Sequence, residues 1–356
     1  MKAKKKIIVS FGTRPEIIKL APLINILKKK KYKFKLVNSG QHYSKNMSDI
    51  FLKKFKIGNI SYNLRLGKKN NSKNFINNFF IQFQKILKKE KTDILIVQGD
   101  TNTCVTSALA AKNLNDKNGY NIKIVHIEAG LRSYDINMPE EINRIIVDHI
   151  SDFLFVPTTI QKEILINEGI KKKIKVVGNT ISDSLKKIKF IRLKDKFFLL
   201  TIHRFENVNN KKRLSKIFSI MKKIANIYKL KIIFPCHPNT LSKIKKYKIK
   251  LHKKIKIISP INYDKFLILL KNSKITFSDS GGLQEEACIL KRHLITLRYN
   301  TERPETLLIN SNFLSMLNER RVLKRIKHIL SGKVKWKTNP YGNNVSNKII
   351  NFINHL

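Results

Sequence analysis

Cysteine is almost missing from this sequence: Cys104, Cys236 and Cys288 are the only three in 356 residues. Few, odd in number and far apart, they form neither a disulfide framework nor a metal spacing, which points to a reducing compartment, the cytoplasm. Long apolar runs are missing too. No stretch reaches the ~20 residues that a membrane-crossing helix needs, and the opening MKAKKK leads straight into a strand, not a signal-peptide core. Acids are scarce, with 24 Asp and Glu against 73 Lys and Arg and a formal net charge of +49. That excess is no defined patch. Lysine far outnumbers arginine and is spread along the whole chain, so we expect no specific nucleic-acid partner, only weak, salt-sensitive adhesion to anionic surfaces. Also absent are GxxxxGKS, GxGxxG, HExxH and clustered His/Cys spacings, which disfavours ATP hydrolysis, a simple dinucleotide dehydrogenase and a metal site.

What is present is a repeated strand–turn–helix pattern in a chain long enough for two domains. Apolar runs at 5–11, 34–39, 93–97, 122–125, 153–157 and 175–177 read as buried strands, and helical spacing falls at 16–30, 75–90 and 105–114. The charged stretch 186–196 lacks strong periodicity and reads as a hinge. The pattern then restarts, with strands at 197–202, 231–235, 255–258, 274–277 and 294–297 and helices at 211–228, 283–290, 319–330 and 345–355. This predicts an α/β protein of two Rossmann-like doubly wound domains facing a cleft. The expected domains are 1–185, 186–340 and a terminal helix in 341–356 that packs back on the first.

Polar residues gather just past the strands' carboxyl ends, where such folds place their chemistry. His126-Ile127-Glu128-Ala129-Gly130-Leu131-Arg132 follows one strand, and Pro139-Glu140-Glu141 opens a helix. Pro and acids suit a first helical turn, so Glu141 reads as an ordinary helix start. Glu128, between a strand and a glycine, has no capping task. Asp100 could cap the next helix or serve as a catalytic or ribose-contacting acid. The turn Gly12-Thr13-Arg14-Pro15-Glu16, with Lys19 close by, offers helix-start amides and positive charge to an anion. Ser278-Asp279-Ser280-Gly281-Gly282 before a helix is a stronger anion site, and Arg298 and Arg303 could clamp a diphosphate. His203 ends a strand in the second half. Carboxylates, one histidine and an anionic leaving group together suit proton abstraction with departure of a diphosphate.

The segments FGTRPEIIKLAPLI, GQHY, QGDTNT, HIEAGLRS, PEEINR, VVGNT, TIHRFEN, CHPN, SDSGGLQEEA, NTERPE and NPYG occur in this order from Ile7 to beyond Asn339. The series resembles the non-hydrolysing UDP-N-acetylglucosamine 2-epimerases. The resemblance implies a glycosyltransferase-B-like fold and reversible conversion of UDP-N-acetylglucosamine to UDP-N-acetylmannosamine. The implied route is anti elimination of UDP to 2-acetamidoglucal and re-addition, with no cofactor, in a homodimer. It implies that Asp100, Glu128, Glu140 and His203 are the catalytic set. Arg14, Lys19, Phe266, Ser280, Gly281, Gly282, Glu286, Arg298 and Arg303 are the implied substrate contacts, with Glu286 on the ribose. Gln41, His42 and His237 match the family's second, allosteric UDP-N-acetylglucosamine site.

Some positions depart from the family pattern. An Asp of its RDTTERPE segment is absent from Arg298-Tyr299-Asn300-Thr301-Glu302, Ile261 stands for a Gln, and Ser44 replaces a second Gln. Two other readings are an epimerase for another UDP-2-acetamido sugar, such as a diacetamido uronate, and a hydrolysing epimerase. A binding protein without epimerase chemistry is a third. By this reading Arg303→Ala chiefly weakens UDP binding.

Overall fold

The computed structural model describes residues 5–41, 52–69, 72–171, 173–336 and 338–356. Internal packing divides the chain into two units, Met1–Lys186 with Pro340–Leu356, and Lys187–Asn339. Each unit is a parallel sheet flanked by helices, the α/β Rossmann-like architecture.

The first unit holds β1 (Lys6–Phe11), β2 (Lys33–Asn38), β3 (Tyr62–Asn63), β4 (Ile94–Gln98), β5 (Lys123–Ile127), β6 (Phe153–Val156) and β7 (Lys173–Val176). Their order is β3-β2-β1-β4-β5-β6-β7, all paired in parallel. β4 is buried along its whole length, as expected of a strand covered on both faces. The order reverses between β1 and β4, which places a switch point at their carboxyl ends. The chain's last segment belongs to this unit. The Phe352 ring stands edge-on to Phe153 and Phe155 at 5.6 and 5.3 Å. Asn179 N donates to the carbonyl of fully buried Tyr341 at 3.0 Å. A Cβ on Gly178 would lie 2.2 Å from that carbonyl, and φ there is +99°, so glycine is required twice over.

The second unit repeats the plan with β8 (Phe197–Thr201), β9 (Lys231–Pro235), β10 (Ile255–Ile258), β11 (Thr276–Ser278), β12 (Leu294–Thr296) and β13 (Asn312–Leu314). Their order is β10-β9-β8-β11-β12-β13, and its switch point lies between β8 and β11. Its core joins Phe198, Phe234 and Phe277 of the sheet to Leu214, Ile217, Phe218 and Met221 of the helix Lys211–Tyr228.

Sequence periodicity did not foresee β3, β13 or the helices Thr159–Asn167, Pro238–Lys246 and Tyr263–Asn272. β3 has two residues and β13 three, too short for an alternation to register. The helix expected at 283–290 runs Gly281–Ile289, beginning on two glycines that propensity alone would leave outside.

Candidate active site

In the first unit the acids converge on the ends of β1, β4 and β5. Glu128 follows β5 in the left-handed region, φ +70°, rare for a non-glycine residue. Its Oε2 accepts from Lys19 Nζ at 2.5 Å and Gln98 Nε2 at 2.8 Å, and both carboxylate and ammonium are buried. The strained backbone thus aims one carboxylate at a cation from the first helix, Arg14–Lys29. Arg14 is exposed at that helix's first residue.

Asp100 does not cap the helix Asn102–Asn118. Thr101 does, its hydroxyl accepting from Cys104 N at 3.1 Å. The Asp100 carboxylate instead accepts from Arg144 Nε at 2.9 Å, and its carbonyl from Asn143 Nδ2 at 2.9 Å. Both partners lie on the helix Pro139–Ile150, whose first turn carries Glu140, half-buried and one turn ahead of Arg144. Asp100 is therefore held by the helix whose first turn carries Glu140. Glu141 is more than a helix-start acid: it accepts from Ser133 N at 2.9 Å and Tyr134 N at 2.7 Å, pinning the loop after Glu128. Beneath them His126 joins Gly99 O and Asp148, each at 2.8 Å. Burial alone would push the Asp148 carboxyl up; the bonds and charges of His126 and Arg132 outweigh it and hold it below the usual carboxylate range.

The turn after β1 departs from expectation. Its amides are not open to an anion, because Gly12 N and Thr13 N donate to Glu16 Oε2 at 3.0 and 2.8 Å. A helix start closed by its own third residue is a capping-box arrangement. Gln41 is tied in beside it, its Oε1 accepting from Thr103 N at 2.9 Å. His42 lies outside the described residues.

In the second unit His203 follows β8 with its side chain half exposed. Its Nδ1 is 3.3 Å from Oδ1 of fully buried Asp279. Asp279 also accepts from His203 N, Arg204 N and Asn207 Nδ2 at 3.0–3.1 Å. One carboxylate therefore fixes both backbone and ring of the histidine, the role of a base-orienting acid.

The helix Gly281–Ile289 starts at Ser280, whose side chain makes no cap. A Cβ on Gly281 would lie 2.0 Å from Glu302 Oε1, whereas nothing stands within 4 Å of one on Gly282. Arg298 and Arg303 are both buried and turned onto acids. Arg298 Nη1 meets Glu302 at 2.8 Å and Arg303 Nε meets Glu285 at 2.5 Å. Of the donors expected on a diphosphate, Arg298 Nη1 and Arg303 Nε are thus engaged by carboxylates here. Tyr263 Oη donates to Glu286 at 2.5 Å, and burial together with the Glu286 charge pushes that phenol well up. Phe266 is half-buried on the same helix as Tyr263. His237 is exposed and caps the helix Pro238–Lys246, its ring accepting from Asn239 N. Among the described residues no group of three or more His, Cys, Asp or Glu is arranged to hold a metal, and no helix is long and apolar enough to cross a membrane.

The sequence model of UDP-N-acetylglucosamine 2-epimerase matches residues 25–354. The chain belongs to the UDP-N-acetylglucosamine 2-epimerase family. The Methanocaldococcus jannaschii UDP-N-acetylglucosamine 2-epimerase is 45% identical over 364 residues, covering 97% of each chain. The crystal structure of that organism's UDP-GlcNAc 2-epimerase, in complex with UDP-GlcNAc and UDP, is similar with a TM-score of 0.89. It covers 99% of this chain and 100% of its own at 44% identity. The Pseudomonas aeruginosa UDP-2,3-diacetamido-2,3-dideoxy-D-glucuronate 2-epimerase is 34% identical over 320 residues, covering 87% of this chain and 88% of its own.

Within this epimerase-family scaffold, sequence reasoning did not single out Glu16, Gln98, Arg144 or Glu302. Glu16, Gln98 and Arg144 meet Thr101, Glu128 and Asp100 through the fold rather than along the chain, and Glu302 meets Arg298 four residues away. Asp279 was visible only as part of the Ser-Asp-Ser-Gly-Gly turn, with nothing to tie it to His203.

Proposed function

We propose that this protein interconverts UDP-N-acetylglucosamine and UDP-N-acetylmannosamine without hydrolysis. The observation that carries the reading is Glu128: a buried carboxylate on a strained strand end, fastened by Lys19 and Gln98, in a chain of this family. The proton on sugar carbon 2 is weakly acidic, so its removal is coupled to loss of UDP from carbon 1. Carbon 2 gives up a proton, the carbon 1–oxygen bond breaks with its electron pair going to UDP, and 2-acetamidoglucal is left. A proton then returns to carbon 2 on its other face and UDP re-adds to carbon 1 on the face it left, which gives the epimer. The sum is redox-neutral and needs no cofactor.

Asp100, Glu128 and Glu140 share proton removal and return, with Asp100 aimed by Arg144 and Glu128 by Lys19 and Gln98. His203, oriented by Asp279, serves the departing UDP. Lys19 fastens Glu128, and Arg14 meets the substrate from its exposed helix start. The first turn of Gly281–Ile289 receives the diphosphate, where Gly282 leaves open space and Ser280 leaves amides uncapped. Arg298 and Arg303 balance Glu302 and Glu285, which leaves the helix-start amides as the positive pole for the diphosphate. Glu286 takes the ribose hydroxyls and Phe266 the base. Gln41 and His237 are the candidates for a regulatory second substrate molecule. The higher identity to a UDP-N-acetylglucosamine epimerase, 45% against 34%, favours this sugar over a diacetamido uronate. Three buried free cysteines fit a reducing cytoplasm, and a homodimer is the assembly to test by light scattering.

Incubation with UDP-N-acetylglucosamine in deuterated water tests the reading. Deuterium at carbon 2 with UDP-N-acetylmannosamine formed is the expected result. Free N-acetylmannosamine would show a hydrolase, and absence of exchange would remove the epimerase assignment.

A further inference from the structure

Glu16 does more than close its own helix. A capping-box acid needs to reach only the amide at the N-cap. Here Oε2 accepts from three donors, Gly12 N at 3.0 Å, Thr13 N at 2.8 Å and Thr13 Oγ1 at 2.8 Å. Oε1 leaves the helix altogether and accepts from Thr101 Oγ1 at 2.8 Å, across the switch point between β1 and β4. The same hydroxyl accepts from Cys104 N, so both its donor and its acceptor roles are spoken for and its direction is set. Thr101 adjoins Asp100, whose carbonyl and carboxylate are held from the other side by Asn143 and Arg144. The Asp100 turn is therefore clamped between two elements, and Glu16 supplies one jaw.

The placement is costly. Glu16 is 1% exposed, and burial pushes its carboxyl up to about 7 in spite of the bonds from Gly12, Thr101 and Thr13. Thr13, a favoured N-cap residue, already stands at this helix end, so the end by itself does not call for a buried carboxylate. Gly12 belongs to the same device, since a Cβ there would lie 2.1 Å from Ser39 Oγ and 2.3 Å from Thr103 Oγ1. Only glycine lets the turn approach β4's end closely enough for Glu16 to reach Thr101.

We propose that Glu16 is a positioning residue for the epimerisation. Its one carboxylate joins the turn bearing Arg14 to the turn bearing Asp100 and fixes where Asp100 stands for proton transfer. The inference rests on the functional reading above, in which Asp100 works on carbon 2. Misplacing a reacting group by about 1 Å can cost on the order of a hundredfold in rate.

The test follows deuterium incorporation at carbon 2 of UDP-N-acetylglucosamine for the wild type, Glu16→Gln, Thr101→Val and Thr101→Ser, with UDP affinity and melting temperature measured in parallel. Glu16→Gln should lower kcat roughly ten- to a hundredfold while KM and UDP affinity stay within about twofold. Thr101→Val should do the same, and Thr101→Ser, which keeps the hydroxyl, should recover most of the loss. A Glu16→Gln enzyme with kcat within about twofold of wild type overturns the positioning role and leaves the epimerase reading standing. So does equal activity of Thr101→Val and Thr101→Ser, whatever their melting temperatures. A wild type that exchanges no deuterium overturns the functional reading itself, and this inference with it.

Discussion

The two switch points use their acids in opposite ways. In the first unit the carboxylates at the strand ends are fastened by side chains distant in sequence: Glu128 by Lys19 and Gln98, Asp100 by Arg144, and Glu16 by Thr101 in addition to the amides of its own turn. Asp100 keeps 28% of its side chain exposed, so it is held but reachable. In the second unit Asp279, Glu285 and Glu302 are all essentially buried, and they hold backbone amides and arginines instead. In the proposed reaction the first arrangement offers Asp100 and Glu128 to the sugar. The second hides acids behind a helix start and leaves His203 as the exposed titratable group. In a chain with 24 acids against 73 basic residues, concentrating acids at two strand-end clusters is what distinguishes these turns from the lysine-covered surface.

Glu128→Gln should break the comparison hardest on the first side. Loss of a positioned acid–base group costs on the order of a thousandfold, read as deuterium incorporation at carbon 2. UDP affinity, assigned to the second unit, should stay within about twofold of wild type. Equal loss of both would show that the two clusters do not divide the work.

Arg303→Ala comes next, and structure changes what it should do. From sequence it was expected chiefly to weaken UDP binding. Arg303 is 2.5 Å from Glu285, which has no exposed surface, so its removal strands a buried carboxylate. Breaking such a pair costs about 3–5 kcal/mol. A large fall in denaturation midpoint is expected before any loss of UDP affinity is measured, and the double variant Arg303→Leu with Glu285→Leu should recover much of it. A single variant as stable as wild type would return Arg303 to the role of a ligand contact.

Much of this was legible from residue order, and the illegible part has a common cause. The strands declared themselves because a parallel sheet covered on both faces leaves uninterrupted apolar runs, as in Ile94–Gln98. Glu128 declared itself by lacking a capping task, and the structure supplies its reason in a positive φ and a lysine from 109 positions away. What stayed hidden were pairings across the fold. Nothing local links Glu16 to Thr101, Arg144 to Asp100 or Glu302 to the space beside Gly281. For Asp100 the capping and functional readings were balanced until Thr101 was seen to do the capping. At the first helix start residue order could not show that Glu16 already takes the amides of Gly12 and Thr13.

The paired glycines sharpen the contrast within the second unit. Gly281→Ala forces a Cβ to within 2.0 Å of Glu302 Oε1, inside the arginine cluster, and should cost about 1–3 kcal/mol through displaced side chains. Gly282→Ala meets nothing within 4 Å, and alanine in a helix is favoured over glycine by up to about 1 kcal/mol, so stability should hold or rise. If a diphosphate approaches that open face, UDP affinity of Gly282→Ala falls while its melting temperature does not. Unchanged affinity would move the anion elsewhere.

The smallest expected effect separates the clusters by pH. Burial raises the Glu16 carboxyl to about 7 from its ordinary 4.5. Between those values the folded chain keeps a proton that the unfolded chain has released. Glu16's contribution is therefore fully present below about 4.5 and is lost as pH rises through about 7. Asp148 has the opposite sign, since its lowered carboxyl loses stabilisation as pH falls. Comparing wild type with Glu16→Gln at each pH cancels Asp148 and the other groups common to both. The wild type should lose stability relative to the variant at up to about 1 kcal/mol per pH unit across that window, measured by urea denaturation. No such difference would mean that Glu16 is already ionised at low pH, and that its hydrogen bonds outweigh the burial that opposes them.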